Sequence, residues 1–320
     1  MKLWKLLFAS CAMVSASQAG LAQAYPAKPI RIIVAYQAGQ GTDTATRYLA
    51  NQLSKELGQA IIIDNRPGAG GNLGTDLAAE AAPDGYTLTM GTNATHVLNQ
   101  YLYASPRFKP EVAFEPIALV GTFPMVLGVN AKSPFRSIDD VVGALKSNPR
   151  AADIATPSTT ARLVVELLKE RAGLKLFEVP YKGSGGAMTD VLGGQLPLLV
   201  DTPTAVRSQI SAGQLRAIAV TSAVPSGLVP GIKPVAEQGF PNFEVVAWNG
   251  LYAPKGTPVA ILDLLNTSLN KILARAETKQ QLLDYGFDPA GGSRQQLADF
   301  AQAERRKWEP IIKAAGIRAE

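Results

Sequence analysis

The sequence predicts an α/β protein of two domains, with parallel sheets covered by helices on both faces. Three observations predict it. Strand-like and helix-like segments alternate from Ile30 onward, the order that builds a buried parallel sheet. The alternation breaks and restarts near Met125. The chain has 320 residues, 47% of them hydrophobic and 18% charged, which excludes wholesale disorder. That length also exceeds the ~250–300 residues at which one core stops growing.

Each element has a local reason. Ile30–Ala35 is a β-rich run that ends in Tyr36-Gln37-Ala38-Gly39-Gln40-Gly41. Thr42 or Asp43 then caps a helix with the apolar face Ala45, Tyr48, Leu49, Leu53 and Leu57, closed by Gly58. Ile61–Ile63 reads as the next buried strand, and Tyr86–Met90 as another after the turn Pro83-Asp84-Gly85. Met125–Asn130 is a strand, and Ser137 with Asp140 forms a capping box for a helix over 138–147. Ile154–Thr156 is a short strand before a helix from Thr160 to Ala172, stopped by Gly173. Leu196–Val200 and Leu215–Val220 are strands around a helix over 206–212, and Glu244–Tyr252 is extended. Thr257 caps a helix with Pro258 at its first position. Three helices finish the chain, the last opened by Ser293 and Gln296 and ended by Gly316.

The first 24 residues read as a secretory leader. Lys2 and Lys5 precede the apolar run Leu6–Ala16, and Ala22-Gln23-Ala24 supplies a cleavage site before Tyr25. Cleavage leaves 296 of the 320 residues and lowers the formal charge from +5 to +3 by removing the two lysines. It also removes Cys11, the single cysteine, and so suits an oxidising periplasm. With one cysteine and one histidine, His96, a Cys/His zinc site and a disulfide scaffold are both excluded. Basic residues are scattered, with only Arg305-Arg306-Lys307 adjacent, so no nucleic-acid partner is expected.

Several loops carry chemistry. Gly39-Gln40-Gly41 follows a strand and opens a helix, but Thr44 stands where a dinucleotide fingerprint needs its third glycine. What survives is a small-anion loop, because glycine lets amides approach and a helix N-terminus favours negative charge. Gly68-Ala69-Gly70-Gly71-Asn72 lacks the Lys-Ser/Thr of a P-loop and reads as a structural corner. Gly91-Thr92-Asn93-Ala94-Thr95-His96 offers hydroxyl and amide groups at the carboxyl end of a strand, the edge where ligands sit in open α/β sheets. No nucleophile elbow accompanies His96, since Lys182 precedes Gly183-Ser184-Gly185; a capping or packing role is expected for it. Thr156-Pro157-Ser158-Thr159-Thr160 is a hydroxyl cluster between strand and helix. Arg162 follows in the first turn, where a cation opposes the dipole. Asp201 ends a buried strand, and Trp248 packs at the return crossing.

Together the motifs are similar to a family over nearly the whole chain after residue 24. They are Tyr25–Ile30, Asp64–Asn72, Pro83–Tyr86, Gly91–His96, Pro180–Gly183, Leu192–Gln195 and Ala253–Pro258. This combination, in this order, resembles the Bug family of periplasmic solute receptors, the binding component of tripartite tricarboxylate transporters. The resemblance implies a two-lobed type II periplasmic-binding-protein fold, with two parallel-rich sheets flanked by helices and joined by two crossover strands. Domain 1 would comprise residues 25–124 plus 250–320, and domain 2 residues 125–249. In the family, main-chain amides and ordered waters hold a ligand carboxylate. Carried onto this sequence, that points to Tyr36, Ala38, Gly39, Gly41, Thr42, Asp43, Thr92 and Asn93. The second domain would add Thr156, Ser158, Thr159, Thr160 and Asp201. Two departures stand out: Gln40 replaces a family glycine, and Arg162 replaces a histidine after a shortened loop. Arg162 is therefore expected to favour a second negative charge.

The function implied is capture of a small carboxylate in the cleft and delivery to membrane transporter subunits. No catalysis and no cofactor are expected, and a monomer is the default. A receptor feeding a sensor, or a periplasmic hydrolase, are the alternatives. Dicarboxylates, tricarboxylates, amino acids and aromatic acids all remain open as ligands.

Overall fold

A computed structural model describes residues 25–104, 108–173, 175–181 and 183–319. The expected leader, with Cys11, lies outside the described residues. In chain order the strands are β1 (Ile30–Val34), β2 (Ile61–Asn65), β3 (Thr87–Thr92), β4 (Phe114–Pro124), β5 (Val126–Asn130), β6 (Ile154–Thr156), β7 (Glu178–Pro180), β8 (Leu198–Asp201), β9 (Leu215–Val220), β10 (Val246–Pro254) and β11 (Asp288–Gly291). The helices are α1 (Gly41–Leu57), α2 (Asn72–Ala79), α3 (Asn99–Leu102), α4 (Pro110–Ala113), α5 (Ile138–Ser147), α6 (Thr159–Ala172), α7 (Ser184–Leu192), α8 (Pro203–Ser211), α9 (Val259–Leu273), α10 (Ala276–Asp284) and α11 (Arg294–Ala315).

The strands form two sheets, one of six in the order β11-β4-β10-β3-β1-β2 and one of five in the order β7-β6-β8-β5-β9. Both are mixed, and each is built on a parallel trio of strands. β1 runs parallel to β2 and β3, and β6 parallel to β7 and β8. β10 is antiparallel to β3 and β4, while β5 is antiparallel to β8 and β9. The reason is connectivity. A strand that enters a sheet directly from the other lobe, without a crossover helix, must run against its neighbours.

Alternate residues of β1 divide between two cores, as the period of a strand requires. Ile30, Ile32 and Val34 pack with Leu49 and Leu53 of α1 and Leu265 and Leu269 of α9. Ile33 packs on the opposite side, in a core that holds Val97, Trp308 of α11 and Leu163 of α6. That second core is shared by both lobes. β2 is an edge strand with Ile62 55% exposed, not the buried strand its three isoleucines predict. β4 is absent from the sequence reading because Pro116 and Gly121 interrupt its alternation.

One residue, Met125, separates β4 from β5. Thr221, fully buried just past β9, ties this crossing to the return one. Its amide donates to the Met125 carbonyl at 3.0 Å, and its hydroxyl accepts from the Met125 amide at 2.8 Å. The same hydroxyl donates to the Val245 carbonyl at 2.5 Å, and the Val245 amide returns a bond to the Thr221 carbonyl at 2.8 Å. Because the crossing is so short, the carboxyl ends of β1 and β3 face those of β6 and β8. The loops after these four strands therefore border one cleft.

Candidate functional site

The first-lobe loop is held from beneath. Asp43, in the first turn of α1 and only 1% exposed, accepts three bonds through its carboxylate. The donors are the Gly39 amide at 2.8 Å, Arg47 Nε at 2.9 Å and Asn65 Nδ2 at 2.8 Å. Burial works against the charge, but these bonds and the Arg47 cation outweigh it, holding the carboxyl below its usual range. Asn65 also donates to the Tyr36 carbonyl at 3.0 Å and accepts from Arg47 at 2.7 Å. Gly39 can close the turn because its φ of +86° lies where glycine is at no disadvantage.

The expected cap is displaced. The N-cap is Gln40, in extended conformation, and its side chain makes no capping bond. Asp43 reaches back to Gly39 instead, so the Gly39 amide is committed to the loop. The amides of Gly41, Thr42 and Asp43 open α1 with no acceptor in the preceding turn and no side-chain cap. These three amides, at the positive end of a 17-residue helix, have the geometry and dipole that suit an anion seat.

Beside the seat, the Tyr36 hydroxyl bonds Thr92 Oγ1 at 2.8 Å. Burial raises the Tyr36 phenol above its ordinary pKa, so it serves as a neutral hydroxyl. Thr92 also receives the Thr95 amide at 3.3 Å. Thr42 Oγ1 points to Asn249 Oδ1 at 3.4 Å. Across the cleft, Asn93 Nδ2 donates to Thr160 Oγ1 at 3.1 Å, which joins the two lobes directly.

His96 is a packing residue. Its ring is 1% exposed, stacks on Tyr252 with centroids 4.1 Å apart, and bonds Thr95 Oγ1 through Nδ1 at 2.9 Å. Burial, and secondarily the Arg305 charge, push its pKa down to about 3, so the ring stays neutral. The glycine corner is structural as well: a Cβ on Gly71 would lie 2.7 Å from Thr95 Cγ2, so the corner packs tightly under the second loop. Trp248 is fully buried against Phe300.

The second lobe uses its polar groups largely on itself. Ser158 caps α6 by accepting the Ala161 amide at 3.2 Å, and the Thr156 hydroxyl turns to the Val179 carbonyl at 3.4 Å. Thr159 and Thr160 open α6. Arg162 is placed differently from the expectation that it awaits a second anionic group. Its Nε donates to Glu178 Oε1 on β7 at 3.0 Å, so its charge is already partnered. Asp201 is 2% exposed, and its Oδ1 accepts the Thr202 amide at 2.7 Å. Burial raises its carboxyl above the ordinary range, against the lowering effect of Ser184 and Thr202. Among the described residues no cluster of three or more His, Cys, Asp or Glu side chains could hold a metal ion.

Sequence reading missed Arg47, Asn65, Thr221 and Asn249. Asn65 carried a signal, since it lies in the Asp64–Asn72 stretch that singled itself out. Arg47 and Asn249 are polar residues in otherwise ordinary helix and strand positions, and Thr221 is a threonine just past a strand end.

Residues 45–317 match the model of the tripartite tricarboxylate transporter family receptor. The chain belongs to this family. Among its relatives, BugT of Bordetella pertussis is 34% identical over 300 residues, spanning 93% of this chain and 92% of BugT. A UPF0065 protein of Pseudomonas sp. strain P51 is also 34% identical, over 301 residues, with 93% and 89% covered. An R. palustris protein solved with adipate superposes with a TM-score of 0.79 at 32% identity, covering 92% of this chain and 99% of its own. The periplasmic binding protein BugD gives 0.74 at 32% identity, covering 92% and 100%. MatC of Rhodopseudomonas palustris, solved with bound malate, gives 0.73 at 28% identity, covering 90% and 100%. The two mixed sheets with flanking helices are thus the two-lobed fold of solute-binding receptors.

Proposed function

We propose that this protein is a periplasmic receptor that captures a small carboxylate between its lobes and delivers it to a tripartite tricarboxylate-type transporter. The observation that carries this reading is the anion seat: three first-turn amides of α1 without a side-chain cap, facing a cleft rimmed by hydroxyls. Relatives solved with adipate and with malate support a carboxylate. In this reading residues 25–124 with 250–320 form one lobe and 125–249 the other. The leader over 1–24 is removed after Ala24, and the mature protein acts as a monomer.

Gly41, Thr42 and Asp43 offer amides to the carboxylate, and Tyr36, Thr92 and Asn93 complete that end. Asp43 through its side chain, together with Gly39 and Ala38, shapes the loop. Thr159, Thr160 and Asp201 close over the far end, with Thr156, Ser158 and Arg162 supporting that wall. No bond is made or broken; ligand binding stabilises the closed arrangement by bending at the two crossings. The histidine of this region, His96, is buried and neutral and packs behind the second loop.

The test is thermal unfolding of the mature protein against mono-, di-, tri- and aromatic carboxylates, adipate and malate included. Ligand at 100 times its dissociation constant stabilises by about 2.7 kcal/mol. For a chain of this size that is a rise of roughly 5–10 °C in the midpoint. A selective shift by one acid class supports the receptor reading and names the class. A panel that stays flat, on protein first unfolded and refolded to strip any bound solute, removes it.

A further inference from the structure

Among the described residues, Asn249 beside the anion seat is a buried side chain whose Nδ2 finds no hydrogen-bond partner. Asn249 lies on β10, opposite Thr92 of β3 and Gly121 of β4, and is 1% exposed. Register slips between Asn249 and Gly250, the kind of irregularity that re-aims a side chain at a functional edge. Its Oδ1 takes the Thr42 hydroxyl at 3.4 Å, and its Nδ2 meets no protein group. Its neighbours are all engaged: Tyr36 with Thr92, Thr92 with Thr95, and Asp43 with Gly39, Arg47 and Asn65. The seat itself borders on room. A Cβ on Gly39 would meet nothing within 4 Å, and one on Gly41 only the Phe287 ring at 3.9 Å.

We propose that Asn249 is a specificity-determining ligand residue, whose amide donates to the ligand carboxylate seated on the first turn of α1. The inference rests on the receptor reading above and deepens it. Backbone amides of one helical turn approach a carboxylate from one side, and a donor from the neighbouring strand supplies a second direction. The Thr42 hydroxyl fixes the orientation by occupying the carbonyl end of the side chain, which leaves the NH2 end toward the seat. A group that accepts hydrogen bonds is therefore selected at this position, and one that donates is rejected, because two donors cannot pair.

The experiment uses full mature protein, with Asn249→Asp and Asn249→Ala beside wild type. Each is titrated calorimetrically with adipate, malate and the monoamide of adipic acid. Asn249→Ala is expected to weaken both diacids about tenfold, and Asn249→Asp about a hundredfold or more, the range for a lost hydrogen bond to a charged group. In Asn249→Asp the preference for adipate over its monoamide falls at least about tenfold, because the introduced carboxylate accepts from the amide. A merely structural asparagine would not move that ratio. Wild-type binding with an unchanged ratio in a folded Asn249→Asp protein overturns the assignment and spares the receptor reading. A wild type that binds neither diacid overturns the assignment, and one that binds no member of the carboxylate panel overturns both.

Discussion

The two loops that face each other across the cleft are built in opposite ways. In the first-lobe loop side chains brace the main chain: Asp43 holds the Gly39 amide, with Arg47 and Asn65 behind it, and Asn65 holds the Tyr36 carbonyl. In the second-lobe loop the side chains are spent on its own helix and the neighbouring strand. Ser158 caps α6, Thr156 bonds the Val179 carbonyl, and Arg162 pairs with Glu178. In the proposed receptor this is a division of labour. Bracing of the main chain fixes amides in space before a ligand arrives, so that little ordering remains to be done on binding. A loop whose side chains are satisfied within its own lobe would move with that lobe on closure.

Removing the brace should give the largest effect. Asp43→Ala leaves the half-buried Asn65 amide and the more exposed Gly39 amide and Arg47 without their acceptor, and a buried donor so stranded costs about 1–3 kcal/mol. We expect a drop of ~2–4 kcal/mol in stability by denaturant unfolding and carboxylate affinity down by about a hundredfold. The acid response follows in sign. The folded-state pKa of Asp43 lies below its unfolded value, so its contribution is complete above the unfolded value, near pH 4. It is lost as pH falls through the depressed folded value. Asp43→Asn should remove that acid-side loss. A variant that keeps wild-type affinity would mean the loop stands without its brace.

Gly39→Val comes next, with affinity lowered more than about tenfold and the fold retained. No neighbouring atom would block the new side chain. The cost is conformational: valine at a φ of +86° must rotate the loop, taking the Gly39 amide off Asp43. Gly39→Ala should show a smaller loss in the same titration, and an equal loss for both would point to steric exclusion of the ligand instead.

These expectations rest on contacts of very different legibility. Both capping boxes, Ser137 with Asp140 and Ser293 with Gln296, form as read, because a cap is settled within four residues. The helix stops at Gly58, Gly173 and Gly316 were legible for the same reason. The N-terminus of α1 was not, because Asp43 is drawn to Gly39 and to Asn65, 22 residues away. Asn249 and Thr42 are 207 residues apart, and Thr221 and Met125 are 96 apart. No local pattern announces such pairs; only the topology brings them together. The cleft-lining loops could be named from sequence, whereas the groups that hold them rigid could not.

The bridge between lobes is a smaller lever. Thr160→Val deletes the acceptor of the Asn93 amide while keeping shape. One such part-buried hydrogen bond is worth about 0.5–1.5 kcal/mol, so affinity should fall roughly threefold to tenfold, with the free protein more open in solution scattering. An unchanged scattering profile would assign closure to other contacts.

Arg162 gives the smallest expected effect and the sharpest test of the comparison. If the second lobe spends its charges internally, replacing both members of the ion pair should leave the cleft electrostatically as it was. Arg162→Gln with Glu178→Gln keeps hydrogen-bonding capacity, and it avoids stranding Glu178, whose Oε2 is buried without a partner. The affinity ratio between adipate and a monocarboxylate of equal length should stay within about twofold of wild type, as for a pair with no net charge toward the ligand. A selective loss of the diacid would show that Arg162 leaves Glu178 when ligand enters. The second lobe would then carry a cation for the far carboxylate, and the contrast between a braced first loop and a self-satisfied second one would hold only for the empty cleft.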